Sequence, residues 1–237
     1  MKIRIIFDKE AISKDLHTGW GVSFLIDNRV LFDAGEKGPW LIQNLEKMKV
    51  DFSKLEAVVI SHDHWDHTGG LWDLLDRLKG LKVYACPNFS QEFKDMVKKF
   101  KGVLIETKKA TKISKDIYVT GEIGGTYKGK NMPEQALVAK TKNGITIVTG
   151  CAHPGILEIT NRAKELFSKE DIYLVFGGFH LKDSSKDEIN SIVDKFRKMD
   201  VKKAGPTHCS GKEAEEIFKE NYGKNFISIK TGQILTI

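Results

Sequence analysis

One stretch, Ser61-His62-Asp63-His64-Trp65-Asp66-His67-Thr68-Gly69-Gly70, constrains this chain more than any other. Three histidines and two aspartates fall within six consecutive residues, 62–67. The apolar run Leu55-Glu56-Ala57-Val58-Val59-Ile60 precedes them, and Leu71, Leu74, Leu75 and Leu78 follow at helical spacing. The pattern predicts a buried strand that ends in a cluster of imidazoles and carboxylates and then turns into a helix. Side chains alternate along an extended segment, so His62 and His64 can point the same way. Asp66 and His67 lie one turn further on and can reach a second, adjacent ion. Such a loop, held between a strand and a helix, is a good support for a metal site.

The rest of the chain is read around that loop. Expected strands cover residues 1–8, 22–26, 29–32, 55–61, 83–86, 103–106, 117–120, 136–140, 145–149, 172–176 and 201–204, with two more at 226–229 and 233–235. Expected helices cover 39–47, 70–79, 90–100, 156–168, 184–199 and 212–222. The segment 121–133 is rich in glycine and lies between two strands, which suits a loop over an active site. Strands alternating with helices over 237 residues indicate an α/β chain, and no internal linker or repeat divides it.

Composition narrows the function. Hydrophobic residues at 41% suffice for a core, and charged residues at 30% suit a soluble globular protein. No apolar run approaches the ~20 residues that span a bilayer. The N-terminus reads as a strand and not as a signal peptide, so the expected location is the cytoplasm. Cys86, Cys151 and Cys209 are too few for a disulfide framework. The net charge of +6 is carried mostly by dispersed lysines, a pattern of solvated surface that disfavours nucleic acid as partner. A basic field of this kind attracts small anionic substrates.

Six of the seven histidines, His62, His64, His67, His153, His180 and His208, occur where an expected strand ends. Loops converge at strand ends in layered α/β folds, and ligand sites form there. A donor set of nitrogen and oxygen suits Zn2+ and leaves Mn2+, Fe2+, Mg2+, Co2+ and Ni2+ open.

With these motifs in place, the chain resembles the metallo-β-lactamase superfamily. The likeness rests on Phe32-Asp33-Ala34-Gly35, the His-x-His-x-Asp-His core, Gly150-Cys151-Ala152-His153, Gly177-Gly178-Phe179-His180 and Gly205-Pro206-Thr207-His208, in the family's order over nearly the whole chain. The resemblance implies one domain over 1–237 with a four-layer αβ/βα sandwich. It implies a binuclear centre, with two Zn2+ as the expected ions: His62, His64 and His153 for the first, Asp66, His67 and His208 for the second, and Asp33 orienting ligands from outside. Many binuclear members carry a bridging aspartate in the fourth motif, where this chain has Gly177-Gly178-Phe179-His180. His180 is therefore read as a ligand or as a substrate-side and proton-transfer residue, and it joins Asp66 as a candidate catalytic residue. Cys151 and Cys209 flank expected ligands and read as packing residues.

A narrower likeness rests on Gly121-Glu122-Ile123, Glu134-Gln135-Ala136-Leu137, Gly150 to Ile156 and Gly177 to Leu181. It points to the subgroup that includes archaeal 7,8-dihydropterin-6-yl-methyl-4-(β-D-ribofuranosyl)aminobenzene 5′-phosphate synthases. The expected function is metal-dependent hydrolysis of a small, phosphorylated or ester substrate, with a pterin-directed synthase or transferase as the alternative. Tyr127, Lys128 and Lys130 are candidate contacts to an anionic substrate.

Overall fold

The computed structural model describes residues 1–237. Strands β1 (Lys2–Phe7), β2 (Ser23–Ile26), β3 (Val30–Phe32), β4 (Ala57–Val59), β5 (Lys82–Ala85) and β6 (Val103–Glu106) build a first sheet. β7 (Thr111–Ser114) and β8 (Ile117–Val119) begin a second, and β9 (Thr126–Tyr127) and β10 (Lys130–Asn131) form a separate ribbon. β11 (Leu137–Thr141), β12 (Gly144–Thr149), β13 (Ile172–Gly178) and β14 (Lys203–Thr207) complete the second sheet, and β15 (Ile234–Thr236) returns to the edge of the first beside β1. The run β3-β4-β5-β6 is parallel, as is β12-β13-β14, and the remaining pairings are antiparallel.

Alternation along these strands sorts apolar side chains into three cores. Phe24 and Ile26 of β2 join Ala57 and Val59 of β4, Leu137 and Ala139 of β11, and Leu174 and Phe176 of β13 between the two sheets. The residues between them in sequence point outward. Leu25 and Val58 meet α1 (Gly38–Lys47), α3 (Leu71–Arg77) and α4 (Gln91–Lys99) through Leu41, Leu45, Leu71, Leu74, Phe93 and Val97. Val138 and Val175 meet α5 (Ile156–Leu166), α6 (Lys186–Lys198) and α7 (Lys212–Tyr222) through Ile159, Ala163, Ile189, Val193, Phe196 and Phe218. The result is the expected helix–sheet–sheet–helix sandwich. Both faces of each sheet are covered, which explains why β3 and β4 are apolar on every residue. No helix is long and apolar enough to cross a membrane.

Three differences from the sequence expectation stand out, two of them with a local cause. The apolar run before the histidines is shorter as a strand, because the Ser61 backbone N–H is taken by Asp33 Oδ1 at 2.7 Å. Residues 226–229 make a single bridge to Ala204 where a strand was expected. They lie along β14, which carries Pro206, and proline offers no N–H to extend a ladder. Within the glycine-rich segment 121–133, where a loop was expected, β9 and β10 pair as a small hairpin.

The two sheets are tied at one edge by Asp8, which follows β1. Thr207 Oγ1 donates to Asp8 Oδ1 at 2.9 Å and lies 3.1 Å from Oδ2, and the Lys9 backbone N–H donates to Oδ1 at 2.6 Å. Asp8 is fully buried, and this desolvation pushes its pKa up to about 7 despite those bonds. The folded value exceeds the unfolded one, so the stabilisation is complete below pH ~4 and is lost as pH rises through about 7. Asp8→Asn, which cannot ionise, is expected to gain on the order of 3 kcal/mol relative to wild type between pH 5 and pH 8. Thermal melts of both proteins at the two pH values check this; parallel pH profiles would refute it.

Candidate metal centre

The six histidines singled out in the sequence come to one edge of the sandwich, with Asp33 and Asp66. Asp33 follows β3, His62 and His64 follow β4, His153 follows β12, His180 follows β13 and His208 follows β14. These are the carboxyl ends of parallel strands. The short helix α2 (Trp65–Thr68), which the sequence reading did not foresee, carries Asp66 and His67 back over them. His17 lies elsewhere, stacked on Trp40.

Two triads of donor atoms result, His62/His64/His153 and Asp66/His67/His208, each with its atoms within 4.8 Å of one another. The spacing suits a cation. Ligand atoms 2.0–2.1 Å from a tetrahedral ion are separated by about 3.4 Å along each polyhedral edge. Asp66 Oδ2 lies 3.4 Å from His67 Nε2 and 3.3 Å from His208 Nε2, and His62 Nε2 lies 3.0 Å from His64 Nδ1. Five buried side-chain polar atoms in the whole chain have no hydrogen-bond partner, and three are here: both ring nitrogens of His153 and Nε2 of His208. Buried polar atoms are almost always paired, so this concentration marks a place where a group from outside completes the bonding.

The surrounding bonds aim the rings inward. Ser61 Oγ donates to Asp33 Oδ2 at 2.7 Å, which leaves its lone pairs for His62 Nδ1–H at 2.9 Å and turns His62 Nε2 toward the centre. His67 Nδ1 donates to Asp33 Oδ2 at 2.7 Å, with Nε2 facing Asp66. Asp33 thus orients His67 directly and His62 through Ser61, the role the family resemblance implied for it. The Gly21 backbone N–H contacts His208 Nδ1 at 3.2 Å.

Electrostatics agree with a cation site. Burial lowers His62, and the neighbouring imidazoles His67, His153, His64 and His208 lower it further. Burial also lowers His64, and burial with His180 and His64 takes His153 down to about 3. All three are neutral at pH 7, the form that can donate a lone pair. For His67, burial opposes a charge, but the carboxylates of Asp33 and Asp66 outweigh it and hold the ring well above its ordinary value. Asp66 is driven in the opposite direction: burial disfavours its charge, and the adjacent His208 and His67 imidazoles more than compensate. Positive charge is favoured where His67 Nε2 meets Asp66, and a metal ion would replace the proton there.

A second layer holds the turn after β12. Glu134, fully buried, accepts backbone N–H bonds from Cys151 at 2.9 Å, Ala152 at 2.9 Å and His153 at 2.8 Å. Gln135 ties the same segment to the first sheet, donating to the carbonyls of Ile60 and Tyr84. The role of Glu134 was missed from sequence; the available signal was an acid opening the apolar run Glu134-Gln135-Ala136-Leu137-Val138-Ala139. Glu134→Ala leaves three buried N–H groups unpaired, and the expected loss is about 3 kcal/mol or more. Glu134→Gln, which keeps one acceptor oxygen, is expected to lose less. Urea unfolding of both variants measures the difference, and equal stabilities would contradict it.

Aromatic rings line the rim. Tyr127, on β9, stands 5.0 Å from the His64 ring, 5.1 Å from His153 and 5.7 Å from His180. Trp20, also unforeseen, lies 4.7 Å from the His208 ring and is 40% exposed. Lys128 stands over Tyr127, and Lys130 is exposed without a contact to the triads. His180 is exposed, with its ring 4.6 Å from His153. It groups with His153 and Cys151 as donors and lies at the mouth of the site.

Comparison with known proteins agrees with this architecture. Residues 28–120 match the model of the beta-lactamase superfamily domain. A 7,8-dihydropterin-6-methyl-4-(beta-D-ribofuranosyl)-aminobenzene-5'-phosphate synthase of Methanocaldococcus jannaschii is 27% identical, over 91% of this chain and 89% of its own. An uncharacterised protein of the same archaeon is 32% identical, over 99% of this chain and 100% of its own. A crystal structure described as a metal-dependent hydrolase of the beta-lactamase superfamily superposes with a TM-score of 0.84 at 29% identity, covering 100% of this chain and 99% of the other. Sandwich, strand-end histidines and relatives converge on one assignment: the chain belongs to the metallo-β-lactamase superfamily.

Proposed function

We propose that the protein is a metal-dependent hydrolase acting on a small anionic ester or phosphorylated substrate. The observation that carries this reading is the pair of inward-facing triads, with three buried imidazole nitrogens left without protein partners. His62, His64 and His153 would hold one ion, and Asp66, His67 and His208 a second, Zn2+ being the ion their nitrogen and oxygen donors suit best. Ions held there would supply Lewis acidity and lower the pKa of a water toward neutrality.

The chain's own residues do the rest. Asp66 holds His67 and His208 in register and keeps negative charge at the base of the site. His180 stands at the mouth, where contact with the Cys209 sulfur raises its proton affinity above that of an ordinary imidazole. From there it would hand a proton to a departing oxygen or hold an anionic oxygen of the substrate. A cleft of about 240 Å³ lined by His153, His180, Ile156, Leu157, Leu181 and Ile192 offers room for an apolar part of the substrate. The Tyr127 ring stands beside His153 and His180. The expected setting is a single domain over 1–237 in the cytoplasm.

A second reading, a synthase or transferase acting on a pterin, is favoured by the similarity to the archaeal synthase along 91% of the chain. One experiment separates the two: screen metal-reconstituted protein against phosphodiesters, lactones, thioesters and pterin diphosphates. Hydrolysis of an ester class supports the first reading, and turnover confined to the pterin diphosphate with an aminobenzene acceptor supports the second. His180→Ala is expected to retain both ions by elemental analysis while turnover drops ~10²-fold or more. Loss of one ion would make His180 a ligand instead.

A further inference from the structure

Cys151 was expected to pack, and its place in the structure is different. Five groups of side chains converge closely enough to hold an ion, and Cys151 belongs to three of them: with His62 and His67, with His153 and His180, and with His208 and Cys209. No other residue belongs to more than two. Its sulfur is therefore within reach of donor atoms of both triads. Cys151 Sγ lies 3.3 Å from His67 Nε2. For Zn–S near 2.3 Å and Zn–N near 2.0 Å, two ligands of one tetrahedral ion are about 3.5 Å apart. The Nε2 of His208, which groups with Cys151 and Cys209, is buried and without a hydrogen-bond partner.

The backbone places this sulfur. Glu134 grips the Cys151 N–H, and Gly150 lets the chain pass close to the histidine loop. A Cβ at Gly150 would stand 2.0 Å from Ser61 Oγ. The one carboxylate among the five groups is Asp66, whose Oδ2 lies 3.4 Å from the same His67 Nε2. The other thiol is engaged: Cys209 Sγ donates to the Cys151 carbonyl at 3.6 Å.

We propose that Cys151 Sγ is a thiolate ligand shared between the two triads, which makes the centre a mixed nitrogen, oxygen and sulfur site. The inference rests on the metal-centre reading above. On binding, the S–H bond breaks, the proton leaves to solvent and a sulfur–metal bond forms. A sulfur donor shifts preference toward Zn2+ and Co2+ and away from Mg2+ and Mn2+.

The test is spectroscopic and uses the full chain reconstituted with Co2+. Wild type should show visible d–d bands together with a near-ultraviolet sulfur-to-cobalt charge-transfer band. Cys151→Ser should keep the visible bands, lose the charge-transfer band and bind one ion ~10-fold or more weakly. Cys209→Ser should keep both features. Zinc-edge X-ray absorption of the wild type, which needs no variant to fold, should show a sulfur scatterer at ~2.3 Å. Visible bands without charge transfer, no sulfur scatterer, or loss of the band in Cys209→Ser alone would overturn the proposal and leave the metal centre standing. Failure of the wild type to take up Co2+ would remove both.

Discussion

Asp66→Ala is expected to lose an ion and its activity together. Asp66 is 5% exposed, and its Oδ2 faces His67 Nε2 at 3.4 Å and His208 Nε2 at 3.3 Å. Removing it takes away the only oxygen donor of its triad and one of the two carboxylates that favour positive charge at His67. Affinity at that triad should fall by more than ~100-fold, beyond the 10–100-fold typical of losing a supporting residue. Turnover should fall by about 10³-fold, the scale of deleting one group that stabilises developing charge. Elemental analysis and rates on one preparation test both halves. A variant with undiminished metal and turnover would sink the assignment of Asp66.

Metal removal should also be a large structural perturbation. The residues from His62 to His67 sit between β4 and α3 of the first sheet, whereas His153 and His208 follow strands of the second. An ion held by donors from both sheets binds only the folded sandwich. At a free concentration a thousand times its Kd, such an ion stabilises by ~4 kcal/mol. For a chain of 237 residues this corresponds to a Tm rise of about 10 °C. Melts with and without a chelator measure it, and a Tm indifferent to chelation would mean that no ion joins the sheets.

The legible parts of this molecule were those where local pattern carries the structure. Helix α7 and strand β6 fall where the sequence placed them, because each has its own apolar periodicity and boundary residues. The histidine loop was readable because its donors are adjacent in sequence and follow an apolar strand. The convergence of His153, His180 and His208 was suggested by their shared position at strand ends, although sequence alone could not measure it. β7, with the sequence Thr-Lys-Ile-Ser at a half-exposed edge, gives almost no apolar signal and was missed. Glu134, Trp20 and Cys151 act through neighbours far away in sequence, so only the folded chain shows what they touch.

Four residues of the site, Asp33, Ala152, His180 and His208, hold left-handed backbone at φ 56°, 61°, 53° and 52°. Each non-glycine residue there costs energy that the surrounding fold must supply. Copying the histidines and aspartates onto another strand-end scaffold would therefore not transplant this centre. The recipient loops would have to reproduce the uncommon peptide turns as well, and an ordinary loop would relax from them and swing the imidazoles out of convergence. Swapping these four residues for β-branched ones should be more damaging than swapping them for glycine, even where the side chain itself is dispensable.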